Sequence, residues 1–493
     1  MPIKQYAGSM KWLNMRLTIF LLSAVFFAGC QSENQRLKAI KFENPDHSAQ
    51  LEKSGRTISE RLMGFNIVYA QEKDEIWQDG VLINSLKEAN TSVLRYPGGT
   101  VVTYYHWNNL TGNGWMDKWD PENKTPDKPS TEFMDVDEYM EVIRKTGAMP
   151  MMGINMSSGW RFNRVEEGIQ EALALMKYCK EKNFPVTYWY LDNEPYQPDG
   201  NGGRKTPEQY GELINIFAER MKAFDPNIKI VANWNSGFAH KRKEYERLIA
   251  VAGKNIDMID AHWYWSWGNP TWEKWTSGPM AYWTGPTYVE EIAYFRDLVA
   301  DLGYPNIEVG SFEWNVGPAK EGDLSPAQCA LMQTEMMMQF MNGGLDMAMM
   351  WPIHWSNQFQ ARGYYDPRKK EANPIHHMFK FLGQFQGAEL MEIRPERIDS
   401  AIYIAAALSQ GEESFRVILL NKGATEKTIS LGSDRFGNQK ITEAQDYILD
   451  ETKTGYTLEP ATVEYLRKDS RIAIAMKPYS ITMLTLSGKE KGV

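Results

Sequence analysis

Cysteine is scarce in this chain, three in 493 residues, and the scarcity excludes two large classes at once. Apart from Cys30, only Cys179 and Cys329 occur, one in a helix-like stretch and one in a Met-rich helix-like stretch. Two such residues make neither a disulfide framework nor a zinc set, and buried free thiols are expected. Concentrated positive charge is missing too. The formal charge is −9, from 54 basic and 63 acidic residues, with no basic block, so neither nucleic acid nor a polybasic membrane patch is implied as a partner. No Gly-rich phosphate loop follows the first strand-like run, which ends at Tyr69, and this disfavours an open doubly wound nucleotide-binding sheet. His376-His377 beside Asn373-Pro374 lacks further metal ligands and reads as a surface or capping pair. No metal or organic cofactor is therefore expected.

Residues 1–30 do not read as fold. Lys11 and Arg16 precede an apolar run, Leu17 to Ala28, that is too short for a comfortable membrane span and ends in Phe27-Ala28-Gly29-Cys30. This resembles a bacterial lipoprotein signal, which implies acylation of Cys30, export, and anchoring to a bacterial outer membrane by lipid alone. Residues 31–57 read as a solvated tether with one edge strand around Leu37–Phe42.

From Leu62 a rhythm begins. Eight β-rich runs recur: Gly64–Tyr69, Ser92–Tyr96, Pro150–Asn155, Thr187–Leu191, Ile228–Asn233, Met258–His262, Ile307–Phe312 and Leu345–Trp351. Helical-period segments separate them, clearest at Val165–Lys182, Pro207–Phe224, Tyr288–Leu302 and Pro326–Met341. The Met332–Met341 and Met347–Met350 methionines read as core filling. Asp135, Asp137, Glu138 and Glu141 read as a solvated helix start. Eight alternations predict a (β/α)₈ TIM barrel over 58–385. Residues 386–493 change to short alternating runs with turn signals such as Asn421-Lys422-Gly423, which predicts a C-terminal antiparallel β-sandwich as an accessory domain.

Barrels of this kind gather chemistry at the carboxyl ends of their strands. Those ends carry Arg95-Tyr96-Pro97-Gly98-Gly99 after the second strand, Asn193-Glu194 after the fourth, His262-Trp263-Tyr264 after the sixth, Glu313-Trp314-Asn315 after the seventh and Trp351 after the eighth. Glu194 and Glu313 would face each other across the mouth. Two facing carboxylates among Asn, His, Tyr and Trp suit cleavage of a glycosidic bond, one protonated to release the leaving oxygen and one ionised to attack the anomeric carbon. Arg95 would favour the ionised form of Glu313, and an aromatic setting would raise the pKa of Glu194.

The pair Asn193-Glu194 with Glu313 resembles the signature of the clan A retaining glycoside hydrolases. Val93–Gly99, Asp260–Tyr264 and Phe312–Asn315 look most like family 51 α-L-arabinofuranosidases. The resemblance implies that Glu194 is the acid/base and Glu313 the nucleophile. It further implies that Asn193 donates to the sugar hydroxyl next to the anomeric carbon, that Arg95 supports Glu313, and that His262 and Tyr264 line the pocket. Two positions depart from it, Asp192 where that family usually has glycine, and Pro195 after the acid/base as in other families of the clan.

Six tryptophans crowd the segment after the sixth strand: Trp263, Trp265, Trp267, Trp272, Trp275 and Trp283. An irregular loop cannot easily bury them all, so Trp265 and Trp267, with Trp351, are expected to form a sugar-stacking wall that Trp107, Trp115 and Trp119 extend. Such a wall would suit an elongated carbohydrate substrate. The reading is thus a retaining glycosidase, α-L-arabinofuranosidase-like. Its alternatives are an endo-acting polysaccharidase of the same clan (agarase or porphyranase type) and, in another class, a non-catalytic surface glycan-binding protein.

Overall fold

The computed structural model describes residues 42–488 except 109–115, 124–132, 198–202, 283–284, 321, 356–360, 413 and 453–455. The first strand, β1 (His47–Thr57), belongs to the C-terminal sheet. Eight parallel strands then close into a barrel: β2 (Gly64–Asn66), β3 (Val93–Tyr96), β4 (Met149–Ile154), β5 (Tyr188–Leu191), β6 (Lys229–Asn233), β7 (Met258–Trp265), β8 (Glu308–Val316) and β9 (Met347–Met350). A helix of eight or more residues follows each of them: Val81–Glu88, Val136–Thr146, Val165–Glu181, Pro207–Phe224, Arg242–Ala252, Tyr288–Asp301, Pro326–Gly343 and Ile375–Leu382.

Local chemistry explains where these helices start. Asp135, Thr206, Thr287 and Ser325 each close a capping box with Glu138, Gln209, Glu290 and Gln328, and Pro207 and Pro326 occupy first-turn positions where no amide donor is needed. Strand alternation explains the core. Met347 and Met349 fill the barrel interior with Val93, Met151, Tyr188, Tyr190, Val231, Met258 and Phe312, while Ala348 and Met350 face the helical layer. The methionines are core filling, and both described cysteines are buried free thiols whose burial pushes them up to about 12.

β7 and β8 run three or four residues past the ends expected from sequence. Register shifts between Asp260 and His262 and between Ser311 and Trp314 let the pairing resume beyond the irregularity, so Tyr264 and Glu313 stand within strands rather than after them.

The short pair β10 (Tyr365–Asp366) and β11 (Glu371–Ala372) precedes the accessory sheet. The sheet's remaining strands are β12 (Glu389–Arg397), β13 (Ile402–Leu408), β14 (Ser414–Asn421), β15 (Lys427–Gly432), β16 (Gln439–Asp450), β17 (Thr457–Ala461), β18 (Glu464–Lys468), β19 (Arg471–Met476) and β20 (Ser480–Gly488). Their order is β17-β16-β20-β14-β13-β12-β1-β15-β19-β18, mostly antiparallel, with β1 and β15 parallel. Both halves of this sheet contribute to one apolar core, including Leu51, Ile404, Phe415, Ile429, Ile474 and Leu486. The N-terminal strand is therefore not the expected edge strand. It begins at His47, pairs on both sides, and residues 37–41 lie outside the described ones. A buried ion pair, Lys422 Nζ to a Glu335 carboxylate oxygen at 3.0 Å, joins the sheet to a barrel helix. Among the described residues no helix is long and apolar enough to cross a membrane.

Candidate active site

Six barrel strands deliver one polar cluster to the mouth. Arg95, on β3, is fully buried and has three acceptors: Asn66 Oδ1 at 3.0 Å, Glu313 Oε1 at 3.1 Å and Asn193 Oδ1 at 2.7 Å. Its guanidinium lies over the Tyr190 ring, 4.2 Å from the centroid. A planar fork is what permits one cation to hold residues from β2, the end of β5 and β8 together. Tyr264 donates its hydroxyl to Glu313 Oε2 at 2.8 Å. Glu194 receives the Tyr196 hydroxyl at 3.1 Å, and its own backbone N–H donates to Asn233 Oδ1 at 2.6 Å.

His262 links the two glutamates. Its Nδ1 lies 3.0 Å from Glu194 Oε1 and 3.5 Å from Glu313 Oε2, and its Nε2 lies 3.1 Å from Asp260 Oδ2. Burial alone would lower its pKa, but the charges of Glu313 and Asp260 and its hydrogen bonds outweigh burial and push it up to about 10. The ring is therefore an imidazolium at neutral pH, donating from both nitrogens. One oxygen each of Glu194 and Glu313 and a His262 nitrogen lie within 4.8 Å of one another. That spacing would also suit a metal ion. Here, however, Arg95 and Tyr264 already occupy the Glu313 oxygens and His262 Nε2 is turned to Asp260, so the cluster reads as a hydrogen-bonded network.

The electrostatics correct one sequence expectation. Burial acts to raise the Glu194 carboxyl, but the His262 hydrogen bond and charge, Tyr196 and Arg95 together hold it below its usual range. Burial raises Glu313, aided by the charge of Glu194 and only partly offset by His262, Arg95 and Tyr264. These directions are the reverse of those expected from an aromatic Glu194 and an Arg-paired Glu313.

A cleft of about 1310 Å³ opens above the pair. Glu194, His262, Tyr264, Glu313 and Trp351 line it, with Trp267, which is 57% exposed. Arg95 and Asn193 stand beneath as buried supports. Trp265 is a correction. It is 4% exposed and packs in the core between barrel and helices, because neighbouring strand residues point to opposite faces and Tyr264 takes the inner one. Trp263 and Trp275 are buried as well, the Trp275 indole N–H donating to a Glu335 carboxylate oxygen at 2.6 Å, and Trp272 packs against Trp275 and Tyr479. Trp107 packs on Tyr178, and Trp119 lies between His106 and Arg164. The wall reduces to Trp267 and Trp351, joined by Trp355. Trp115, Trp283 and Cys30 lie outside the described residues.

Sequence reasoning passed over several contributors. Asp260 lies two residues before His262, so strand period two already placed both on one face. Asn66 and Asn233 occupy strand ends, and Tyr196 follows the Asn-Glu-Pro by one residue. Arg362 had no local signal; it reaches the cleft from a loop, donates to the Val316 carbonyl at 3.0 Å and lies 5.6 Å from the Tyr264 ring centroid.

Residues 85–276 match the family described as Alpha-L-arabinofuranosidase 1 domain, a stretch that includes Arg95, Asn193, Glu194, His262 and Tyr264 but stops short of Glu313. The probable alpha-L-arabinofuranosidase C of Aspergillus clavatus is 26% identical over 276 residues, 48% of this chain and 50% of that protein. The chain thus spans about half the length of this curated relative. An alpha-L-arabinofuranosidase from Thermotoga maritima shares the fold with a TM-score of 0.67 at 19% identity, over 90% of this chain and 100% of that one. CelM2, a bifunctional glucanase-xylanase from a metagenome library, shares it at 0.63 and 14% identity, over 90% and 100%. The barrel followed by a mostly antiparallel sheet is the fold that these glycoside hydrolases share with this chain. Over residues 85–276 the chain is similar to the α-L-arabinofuranosidases, in the stretch that carries the motifs around Arg95 and Asp260.

Proposed function

We propose that this chain is a retaining glycoside hydrolase acting on α-L-arabinofuranosyl linkages. The observation that carries the reading is the approach of Glu194 and Glu313 to within 4.8 Å between nearest oxygens. Retaining enzymes hold their two carboxyl groups ~5–5.5 Å apart and inverting ones ~6.5–9.5 Å, to leave room for water.

In this mechanism Glu313 Oε2 or Oε1 attacks the anomeric carbon while Glu194 gives its proton to the departing glycosidic oxygen, leaving a glycosyl ester on Glu313. Glu194, now ionised, takes a proton from water, which attacks the same carbon, frees the sugar and restores Glu313. The first step needs a proton on Glu194 and none on Glu313, and His262, which touches both carboxylates, is placed to give its Nδ1 proton to Glu194 and regain one from Glu313. Arg95 and Tyr264 then hold the ionised Glu313.

The cleft favours a second reading within the clan, endo-action on a polysaccharide. At about 1310 Å³ it exceeds the ~300–1,000 Å³ of a small-molecule site, and it runs on past Glu194 to Trp234 and Arg247, enough for several sugars on the leaving-group side. A sugar-binding protein without activity would not need both glutamates and their donors. Export and lipid anchoring through Cys30 are supported by the apolar run and the small residues before that cysteine. Palmitate labelling of the expressed full-length chain, lost in Cys30→Ala, tests the anchor. For the activity, the full chain should hydrolyse 4-nitrophenyl α-L-arabinofuranoside and Glu313→Ala should not. Turnover only of internal bonds in a polysaccharide would favour the endo reading, and full activity in Glu313→Ala would refute both.

A further inference from the structure

The residue before Asn193-Glu194 is held in a way the chemistry of the pair does not by itself require. Asp192 has φ +60°, the left-handed region that favours glycine, and Glu194 follows at φ +44°. Backbone freedom alone would select glycine here, yet the chain carries a carboxylate, fully buried and ringed by donors. Oδ1 accepts the backbone N–H groups of Met156 at 2.8 Å and Ser157 at 2.9 Å, and Oδ2 accepts the Ser157 hydroxyl at 2.8 Å and faces Lys205 Nζ at 3.6 Å. Lys205 is buried as well, covered by the Trp160 ring at 4.8 Å, with Nζ donating to Ser157 Oγ at 2.9 Å. Its backbone N–H donates to the Pro195 carbonyl at 2.8 Å. The two residues therefore grip both ends of the Asp192–Pro195 stretch and fasten it to the start of the helix Ser157–Arg161 that follows β4.

We infer that Asp192 and Lys205 are positioning residues that fix the carboxyl of Glu194 for proton transfer, an inference that rests on the reading of Glu194 as the acid/base. The arrangement replaces permissive backbone with a buried clamp. A one-ångström drift of a general acid can cost about 10²-fold in rate. The loss should depend on how much the leaving group needs a proton: dinitrophenolate departs without one, phenolate does not.

The test compares kcat/KM of full-length Asp192→Asn, Asp192→Gly and Lys205→Met on a dinitrophenyl and a phenyl glycoside of the wild type's sugar, with Glu194→Ala as reference. Asparagine and glycine both tolerate φ +60°, so neither adds strain at that position. All three variants should lose about 10²-fold on the phenyl glycoside and stay near wild type on the dinitrophenyl one. Glu194→Ala should show the same dependence more steeply. Equal losses on both substrates, or none, would overturn the clamp, since a merely structural role lowers melting temperature without changing leaving-group dependence. Should Asp192→Asn fail to fold, Lys205→Met, which keeps the aspartate and its amide donors, decides alone. A Glu194→Ala variant without leaving-group dependence would instead refute the acid/base reading.

Discussion

His262 Nδ1 lies 3.0 Å from Glu194 Oε1, and the same nitrogen is 3.5 Å from Glu313 Oε2. One imidazolium therefore stands between the two carboxylates, and Asp260 behind it keeps it charged. Its position lets opposite protonation states be reached on the two glutamates.

The raised pKa of His262 is also a statement about stability. A histidine at about 10 in the folded chain and at its ordinary 6.5 when unfolded contributes stability fully below pH 6.5, and loses it as pH rises through 10. The melting temperature of His262→Gln should thus lie furthest below wild type at pH 6 and approach it by pH 10. A gap independent of pH in thermal scans would mean that the ring is neutral.

Arg95 should be irreplaceable by lysine. A lysine keeps the charge but loses the fork that reaches Asn66, Asn193 and Glu313 at once. Arg95→Lys should fold, with kcat/KM down about 10²-fold. Arg95→Ala leaves Glu313 buried without its cation and should cost about 3–5 kcal/mol in urea unfolding. Wild-type kinetics in Arg95→Lys would mean that charge alone suffices.

Two tryptophans separated by one residue should behave oppositely. Trp265 is core, and Trp265→Ala should lose about 3–5 kcal/mol of stability. Trp267 is 57% exposed on the cleft, so Trp267→Ala should leave the melting temperature unchanged and raise KM for long substrates more than for aryl glycosides. Equal KM changes on both substrates would remove Trp267 from the distal wall.

What was legible in the sequence follows from periodicity. The barrel, the two glutamates, Arg95, His262 and Tyr264 all sit where a short apolar run ends in polar residues, and a strand of known direction delivers them to one place. The sequence places Trp265 in a loop because the apolar run ends at His262; in the fold, pairing resumes after a register shift, and alternation sends Trp265 outward. The strand His47–Thr57 gave no sign that it lies inside the C-terminal sheet, because its partners are more than 300 residues away. The protonation order of Glu194 and Glu313 depends on an imidazolium between them, a distance no spacing encodes. Asp192 looked like a departure from a glycine position, and its buried partners from the β4 helix and Lys205 give it a physical reason.

The stereochemistry of the first-formed product tests the central claim most directly. Proton NMR of a glycoside during early hydrolysis, before mutarotation, should show the anomeric configuration of the substrate kept in the released sugar, as two displacements at one carbon require. A product of inverted configuration would mean that water attacks directly, and would contradict Glu313 as a nucleophile.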